Sequence, residues 1–323
     1  MKPAFSAKSL AIVILAFALL AVSAKRMELD SLAGEIANLA GSFVGLSETS
    51  QIGRSVERVS TEMFPVTISE AKPVSKISNF DPDDLPLFSY LETRNVETNR
   101  VNSDTLEIET VMTEEVWLVE RFGYLTLLIA KMIETFEIAI WATLMAVAAS
   151  LMLSVLAAHN FTPHGTVYFM TRSLISFFRA VPEIISALFM VLAFGFGPVA
   201  GILALGFHGM GFLGKFYAEE IESADRKPQE ALAAMGAGPF RILRLAVWPQ
   251  ALPAFTALSI YILDRNVRMA TVVGLVGAGG IGQELKGRYD LFEYDRVGTA
   301  LILIFITILL LDLAAAQLRK RLV

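Results

Sequence analysis

Cysteine is absent from the 323 residues, which excludes disulfides and thiolate metal sites outright. Histidine is nearly absent: His159, His164 and His208 are scattered, and no two stand at the i, i+4 spacing that places ligands on one helical face. A metal centre would have to be built from carboxylates alone, and none is expected; nor is any other cofactor. No G-x-x-x-x-G-K-[ST] run occurs, so no nucleotide-binding P-loop is expected. Charge is scarce as well. Only 18% of residues are charged, against about 25% in soluble domains.

What fills the space is apolar. Hydrophobic residues make up 54% of the chain, and the mean hydropathy is +0.57. That excess is too large to hide in a water-soluble core. It also falls in blocks of about 20 residues, the length that crosses a ~30 Å hydrocarbon slab at 1.5 Å rise per residue. The expectation is an all-α polytopic membrane protein.

Six spans are expected. Ser9 to Ala24 is the first, flanked by Lys2, Lys8 and Lys25-Arg26. Val22-Ser23-Ala24 resembles a signal-peptidase site, so a cleaved signal peptide competes with the favoured retained anchor. Glu120 to Glu137 alternates charged and apolar residues, as an interfacial lead-in helix would. The remaining spans are Ile138 to Ala158, Tyr168 to Phe194, Val199 to Phe216, Ala254 to Val276 and Val297 to Ala316. Arg179 and Pro182 inside the third predict a kink or break. Glycines 206, 209, 211 and 214 predict close helix packing in the fourth.

Between the first two spans lies different material. Met27 to Glu115 carries 17 acidic and six basic side chains and lacks any run of membrane length. Helical periodicity shows weakly from Leu29 to Phe43, and Lys72 to Asn102 reads as loop. The division is therefore 1–26 as an anchor, 27–119 as an acidic periplasmic segment and 120–323 as the membrane domain, with a loop at 217–249. A solvated, partly ordered segment is the expectation for 27–119; a lid or docking surface is the alternative. Lys215, Arg226, Lys227, Arg241 and Arg244, with Arg319, Lys320 and Arg321 in the tail, place that loop and both termini in the cytoplasm by the positive-inside rule. Lys25-Arg26 runs against it.

The 217–249 loop holds the most specific pattern. Glu230-Ala231-Leu232-Ala233-Ala234-Met235-Gly236 is followed, after nine residues, by Ala246-Val247-Trp248-Pro249. Pro228 suits the first turn of a helix, where its missing N–H costs nothing. Glu230 near that helix's N-terminus is favoured by the macrodipole. Gly236 and Gly238 allow a tight turn, and Pro239 can start a second short helix ending before Pro249. The product is a helix–turn–helix knob. It resembles the hallmark loop of ABC importer permeases, Glu-Ala-Ala, three residues, Gly, nine residues, Ile-x-Leu-Pro. Glu230, Ala231, Gly236 and Pro249 match it position for position; Leu232, Ala246 and Trp248 depart from it but stay apolar.

Gly277-Ala278-Gly279-Gly280-Ile281-Gly282 satisfies the dinucleotide fingerprint, and Thr271 to Val276 before it looks like a buried strand. A Rossmann-type enzyme fails on context, because no βαβ unit surrounds the glycines. The same residues resemble the Gly-rich stretch of phosphonate-type permeases. Arg179-Ala180-Val181-Pro182-Glu183, Gly195-Phe196-Gly197-Pro198 and His208 to Lys215 resemble further segments of that family, over about residues 130 to 320.

That resemblance implies a six-helix type I ABC importer permease fold (MetI-like) in the bacterial inner membrane. It implies a cytoplasmic ATPase dimer that binds the ATP, a periplasmic substrate-binding protein, a second permease chain (identical or a paralogue) and surrounding lipid as partners, and no nucleic acid. The implied function is uptake of phosphonate-type anions, including phosphite or phosphate esters, by alternating access, with Glu230, Ala231, Gly236 and Pro249 docking the ATPase. An importer of another small solute, such as an amino acid, is the alternative, and a channel or sensor a further one. Asp264, Arg265 and Arg268 stand near mid-span, where charges cost at least ~2.5–3.5 kcal/mol each and must face an interior or a watery path. Arg265 and Arg268 are the candidate anion contacts, since a guanidinium fork donates bidentately to an oxyanion. Pairing among these charges is the competing reading. Arg179 and Glu183, four residues apart, are expected to pair across the kink. Pro182, Gly277, Gly279, Gly280 and Gly282 are candidate gates or hinges, with tight turning as the alternative for the glycines.

Overall fold

The computed structural model describes residues 7–43, 50–78, 80–82, 84–101 and 108–322. They divide into two compact units, Met1–Pro65 and Val66–Val323. In the first, α1 (Ala7–Arg26) contains the first apolar run, and α2 (Leu29–Phe43) follows after two residues. α3 (Gln51–Met63) is capped by Ser50, whose hydroxyl accepts from the Gly53 N–H at 3.0 Å. Glu35 of α2 accepts from the Gln51 N–H at 2.8 Å and pins the two helices together.

The second unit opens with a three-stranded antiparallel sheet, β1 (Glu70–Pro73), β2 (Ser89–Val101) and β3 (Ile108–Glu120), in the order β1-β3-β2. The loop expected over 72–102 is thus corrected in part: residues 72–73 and 89–101 pair as strands. These strands carry charge on both faces, so the period-2 apolar signal of a half-buried strand is missing. Backbone pairing and opposed charges replace it, the register setting Arg94 against Glu115. Among the described strand residues, only Leu118 and Val119, next to the membrane domain, are buried.

From the sheet the chain passes directly into α4 (Gly123–Ala157), whose first free N–H groups, on Tyr124 and Leu125, donate to the Ile68 carbonyl. A separate lead-in helix before the span was expected; instead one helix of 35 residues, about 52 Å long, runs through both. Its charged first turns extend beyond the ~30 Å slab, so no break is needed where polarity changes.

α5 (Gly165–Ala180) and α6 (Glu183–Phe194) meet at a 92° bend, with Pro182 as the cap of α6. The kink expected at Pro182 is a full break, because Pro182 disfavours helix at Val181 before it. α7 (Pro198–Ser223) packs along α4 through small residues. A Cβ on Gly209 would sit 3.0 Å from Ala146 Cβ, and the Ser150 hydroxyl donates to the Met210 carbonyl at 3.0 Å. Short α8 (Arg226–Ala234) and α9 (Pro239–Ile242) precede α10 (Trp248–Gly274), α11 (Gly280–Asp290) and α12 (Tyr294–Leu322).

Among the described residues, four helices are long and apolar enough to cross a membrane, or five if the α5–α6 pair is one span. These match the last five of the six expected spans. The first lies within α1, several of whose side chains fall outside the described residues. Two ends are distinguishable. His159 N–H donates to Glu222 at 2.8 Å and Arg172 pairs with Glu222 at 2.9 Å, joining the ends of α4 and α7 to α5. At the opposite end Thr299 of α12 donates to the Thr67 carbonyl beside the sheet.

Candidate functional site

The knob is built as its residues dictate. Asp225 caps α8, its carboxylate accepting from the Lys227 N–H at 3.1 Å, and Pro228 falls in the first turn. The far end is a Schellman turn: Ala237 N–H donates to Leu232 O at 3.0 Å and Gly236 N–H to Ala233 O at 2.9 Å, with Gly236 at φ +80°. Only a residue without Cβ takes that conformation freely. Glu230, Ala231 and Gly236 are exposed. Glu230 and Arg226 help line a groove of about 280 Å³ with Asn160, Phe161, Gln229 and Ile242.

The second arm differs from expectation. α9 does not end before Pro249 but winds into a π turn, Leu243–Val247, and continues as α10 with Pro249 in its first turn. Helix and proline coexist because the missing N–H falls where the widened turn has already left carbonyls unmatched. Gln250 ties the arms together: its side chain accepts from the Asp225 N–H at 3.0 Å and donates to Ala246 O at 2.6 Å. Pro249 itself is exposed. The second arm of the knob and the span bearing Arg265 and Arg268 are therefore one continuous helix.

Within that helix the two arginines face different partners. Arg268 donates to Asp264, one turn earlier, and to Asp312 of α12 at 2.8 Å. Arg265 donates to Glu183 at the start of α6, and Glu183 also lies 3.2 Å from His208 Nε2 of α7. The expected Arg179–Glu183 pair is corrected: the bend at Pro182 turns Glu183 away from α5 and toward α10. Asn266 donates to Thr143 of α4 at 2.9 Å, so this stretch of α10 carries polar ties to three helices, α4, α6 and α12.

The glycine run is clamped. Thr271 to Gly274 is the end of a helix, not a strand. A Cβ on Gly282 would lie 2.0 Å from Thr271 O, one on Gly274 2.6 Å from Gly279 O, and one on Gly280 2.4 Å from Thr135 Oγ1. Gly280 and Ile281 donate their N–H groups to Glu134 and Thr135 of α4. Gly277 and Gly279 take φ of +94° and +87°, and Gly277 O accepts from Gly197 N–H. No βαβ unit surrounds these residues, and among the described residues no cluster of His, Asp and Glu is arranged to hold a metal.

The family model for the binding-protein-dependent transport system inner membrane component matches residues 150–323, which hold the knob, the charged span and the glycine run. The chain belongs to this family. HtxE from Stutzerimonas stutzeri, whose name describes a phosphite transport system permease protein, is 49% identical over 81% of this chain and all of its own length. The phosphite transport system permease protein PtxC of the same organism is 43% identical over 59% of this chain and 70% of its own. A solved structure of the MetNI methionine ABC transporter, in inward facing conformations, aligns with a TM-score of 0.54 at 23% identity, over 62% of this chain and 97% of that one. The fold is accordingly the MetI-like permease fold. The permease is a transport subunit of the inner membrane rather than an enzyme, and it works with an ATPase and a substrate-binding protein.

Several residues that shape the permease were not anticipated. Glu183 and His208 were assigned no part with Arg265, because 25 and 57 residues of chain separate the three. Asp312 was passed over inside an apolar run, although a lone carboxylate in a span asks for a cation by itself. Asp225, three residues before a first-turn proline, carried an ordinary N-cap signature.

Proposed function

We propose that the permease carries phosphonate-type oxyanions, phosphite and phosphate esters among them, into the cytoplasm by alternating access. The observation that carries this is the continuous helix from Pro239, the second arm of the knob, to Arg265, with Gln250 tying it to the start of the arm that bears Glu230. A push on the knob by a closing ATPase can reach the charged midspan along this helix, through the π turn at Leu243–Val247 and past Pro253. Relatives named as phosphite permeases, and a 39%-identical Mycolicibacterium smegmatis protein named a phosphate-import permease (36% of whose length this chain covers), favour a tetrahedral phosphorus oxyanion as cargo.

In this reading Glu230, Ala231, Gly236 and Pro249 form the docking knob, and a pair of permease chains presents two knobs to two ATPase subunits, which bind and hydrolyse the ATP. The knob and both termini lie in the cytoplasm, and the sheet at 70–120 faces the periplasm, where the binding protein delivers the anion. Of the two candidate arginines Arg265 is assigned to the path, since Arg268 is already held by two carboxylates. The glycines at 277–282 serve as a tight turn rather than a gate, and Pro182 as the gate's pivot.

The test is uptake by proteoliposomes holding the permease with its binding protein and ATPase. ATP-dependent uptake of labelled methylphosphonate, competed by phosphite but not by amino acids, is expected. Uptake displaced only by an amino acid would retain the importer and remove the oxyanion. Glu230→Lys is expected to abolish uptake while leaving membrane insertion intact, and normal uptake by that variant would remove the docking role.

A further inference from the structure

Three charged or polar side chains from three helices meet where α5 gives way to α6, and importer function accounts for only one of them. Glu183 opens α6, His208 sits in the middle of α7 and Arg265 in the middle of α10. Glu183 Oε1 accepts from Arg265 and lies 3.2 Å from His208 Nε2, while His208 Nδ1 lies 3.4 Å from Val181 O. A carbonyl oxygen only accepts, so the Nδ1 side presents N–H to Val181. One carboxylate oxygen therefore holds the Arg265 guanidinium with the His208 imidazole beside it, and an incoming anion could take over the same place.

The enclosure of the cluster separates it from an ordinary tie. Glu183 and His208 side chains are each 13% exposed and Arg265 is 28% exposed, so the group is partly accessible instead of sealed in the core. Arg268 makes the contrast: its single positive charge is already balanced by two carboxylates, on its own helix and on α12. Arg265 has one carboxylate, and that one stands on a segment able to turn. α6 is twelve residues long, begins at the Val181-Pro182 break and ends at Gly195 and Gly197, with φ of +86° and +137°. Both ends are places where the backbone can rotate while the helix between stays whole.

We propose that Glu183 is a built-in surrogate for the transported oxyanion. It occupies Arg265, with His208 beside it, while the path is empty, and a swing of α6 withdraws it so that the Arg265 guanidinium passes to a tetrahedral phosphorus oxyanion. The inference rests on the oxyanion-importer reading. It also explains how a guanidinium is kept compensated in a membrane interior between cargoes, where a bare cation is costly. The surrogate lowers the apparent anion affinity by the fraction of time that it vacates the site, which favours release to the cytoplasm over retention.

The experiment measures equilibrium binding of labelled methylphosphonate to the intact permease–ATPase complex in liposomes, without the binding protein. Glu183→Gln removes the competing charge and is expected to bind about tenfold more tightly than wild type, as a surrogate present nine-tenths of the time would dictate. Glu183→Asp, retaining the carboxylate, is expected to stay near wild type, and Glu183→Gln with Arg265→Gln to fall to background. Equal or weaker binding by an assembled Glu183→Gln complex, or tight binding that survives loss of Arg265, would overturn the proposal. A second measurement needs no neutralised carboxylate. Adding methylphosphonate to wild type should shift a carboxylate infrared band that moves in Glu183→Asp; an unmoved band overturns the proposal as well. Uptake by wild-type proteoliposomes separates the two levels. If they import no phosphorus oxyanion, the importer assignment falls with the surrogate; if they do and binding ignores Glu183, the surrogate alone falls.

Discussion

At the scale of single residues, stability and transport separate along the two faces of α10. Arg268 joins Asp264, only 6% exposed, to Asp312 on α12. Removing its charge leaves two carboxylates facing each other. Breaking a buried pair costs 3–5 kcal/mol, but Arg268 is 41% exposed, so a loss of about 1–2 kcal/mol is the expectation for Arg268→Gln. Thermal unfolding in detergent should report it, with part of the loss recovered when Asp312→Asn is added; an unchanged midpoint would leave Arg268 free for other work. Gly236 poses a backbone problem. At φ +80° a branched side chain is strained by about 1–2 kcal/mol, and the knob loses the turn that brings its arms together. Gly236→Val is expected to insert normally yet co-purify with less ATPase, and Gly236→Asn to retain more, since Asn tolerates that region.

At the scale of elements, what could be read in advance was what local chemistry writes into adjacent residues. The knob was legible because Pro228, Gly236 and Pro239 each act on their own backbone within one or two turns. The break at Pro182 was legible for the same reason. The sheet was not, because β2 and β3 bury almost nothing and are held by register, as in Arg94 against Glu115, which no single strand displays. The glycine run could be recognised as a family segment, but its clamping depends on Thr135 and Glu134, some 146 residues away. Glu183 was misassigned to Arg179 because i, i+4 proximity holds only while the helix does. The π turn at Leu243–Val247 was invisible too, since a widened turn has no composition of its own. It nevertheless sets the angle of the knob. A π turn is an α-helix with one residue added, so deleting exposed Leu245 should regularise the helix and preserve register on both sides. Inserting an Ala after Leu245 instead rotates the knob by about 100°. The deletion is expected to retain ATPase co-purification, and the insertion to abolish uptake; equal behaviour of the two would detach knob orientation from transport.

At the scale of the whole chain, the structure distinguishes two ends of the membrane unit, and charge says which is which. The end holding the knob carries Lys215, Arg226, Lys227, Arg241 and Arg244; the end holding the sheet joins the segment with 17 acidic and six basic side chains. A membrane potential negative inside favours the basic end in the cytoplasm, and short basic loops are the ones that obey it. Lys25-Arg26 alone argues otherwise, and two charges at the end of one helix are outweighed by five in the loop of another. The absence of cysteine makes the question clean to answer, because any introduced thiol is the only one in the chain. Leu87, 90% exposed before β2, and Ala234, exposed at the end of α8, lie at opposite ends. In intact cells with a permeable outer membrane, a membrane-impermeant maleimide is expected to label Leu87→Cys and spare Ala234→Cys until the inner membrane is opened. The reverse pattern would place the knob outside, beyond reach of any cytoplasmic ATPase, and remove the basis for energy transfer through α10. Equal labelling in intact cells would mean that one of the two ends is not separated from the other by the membrane.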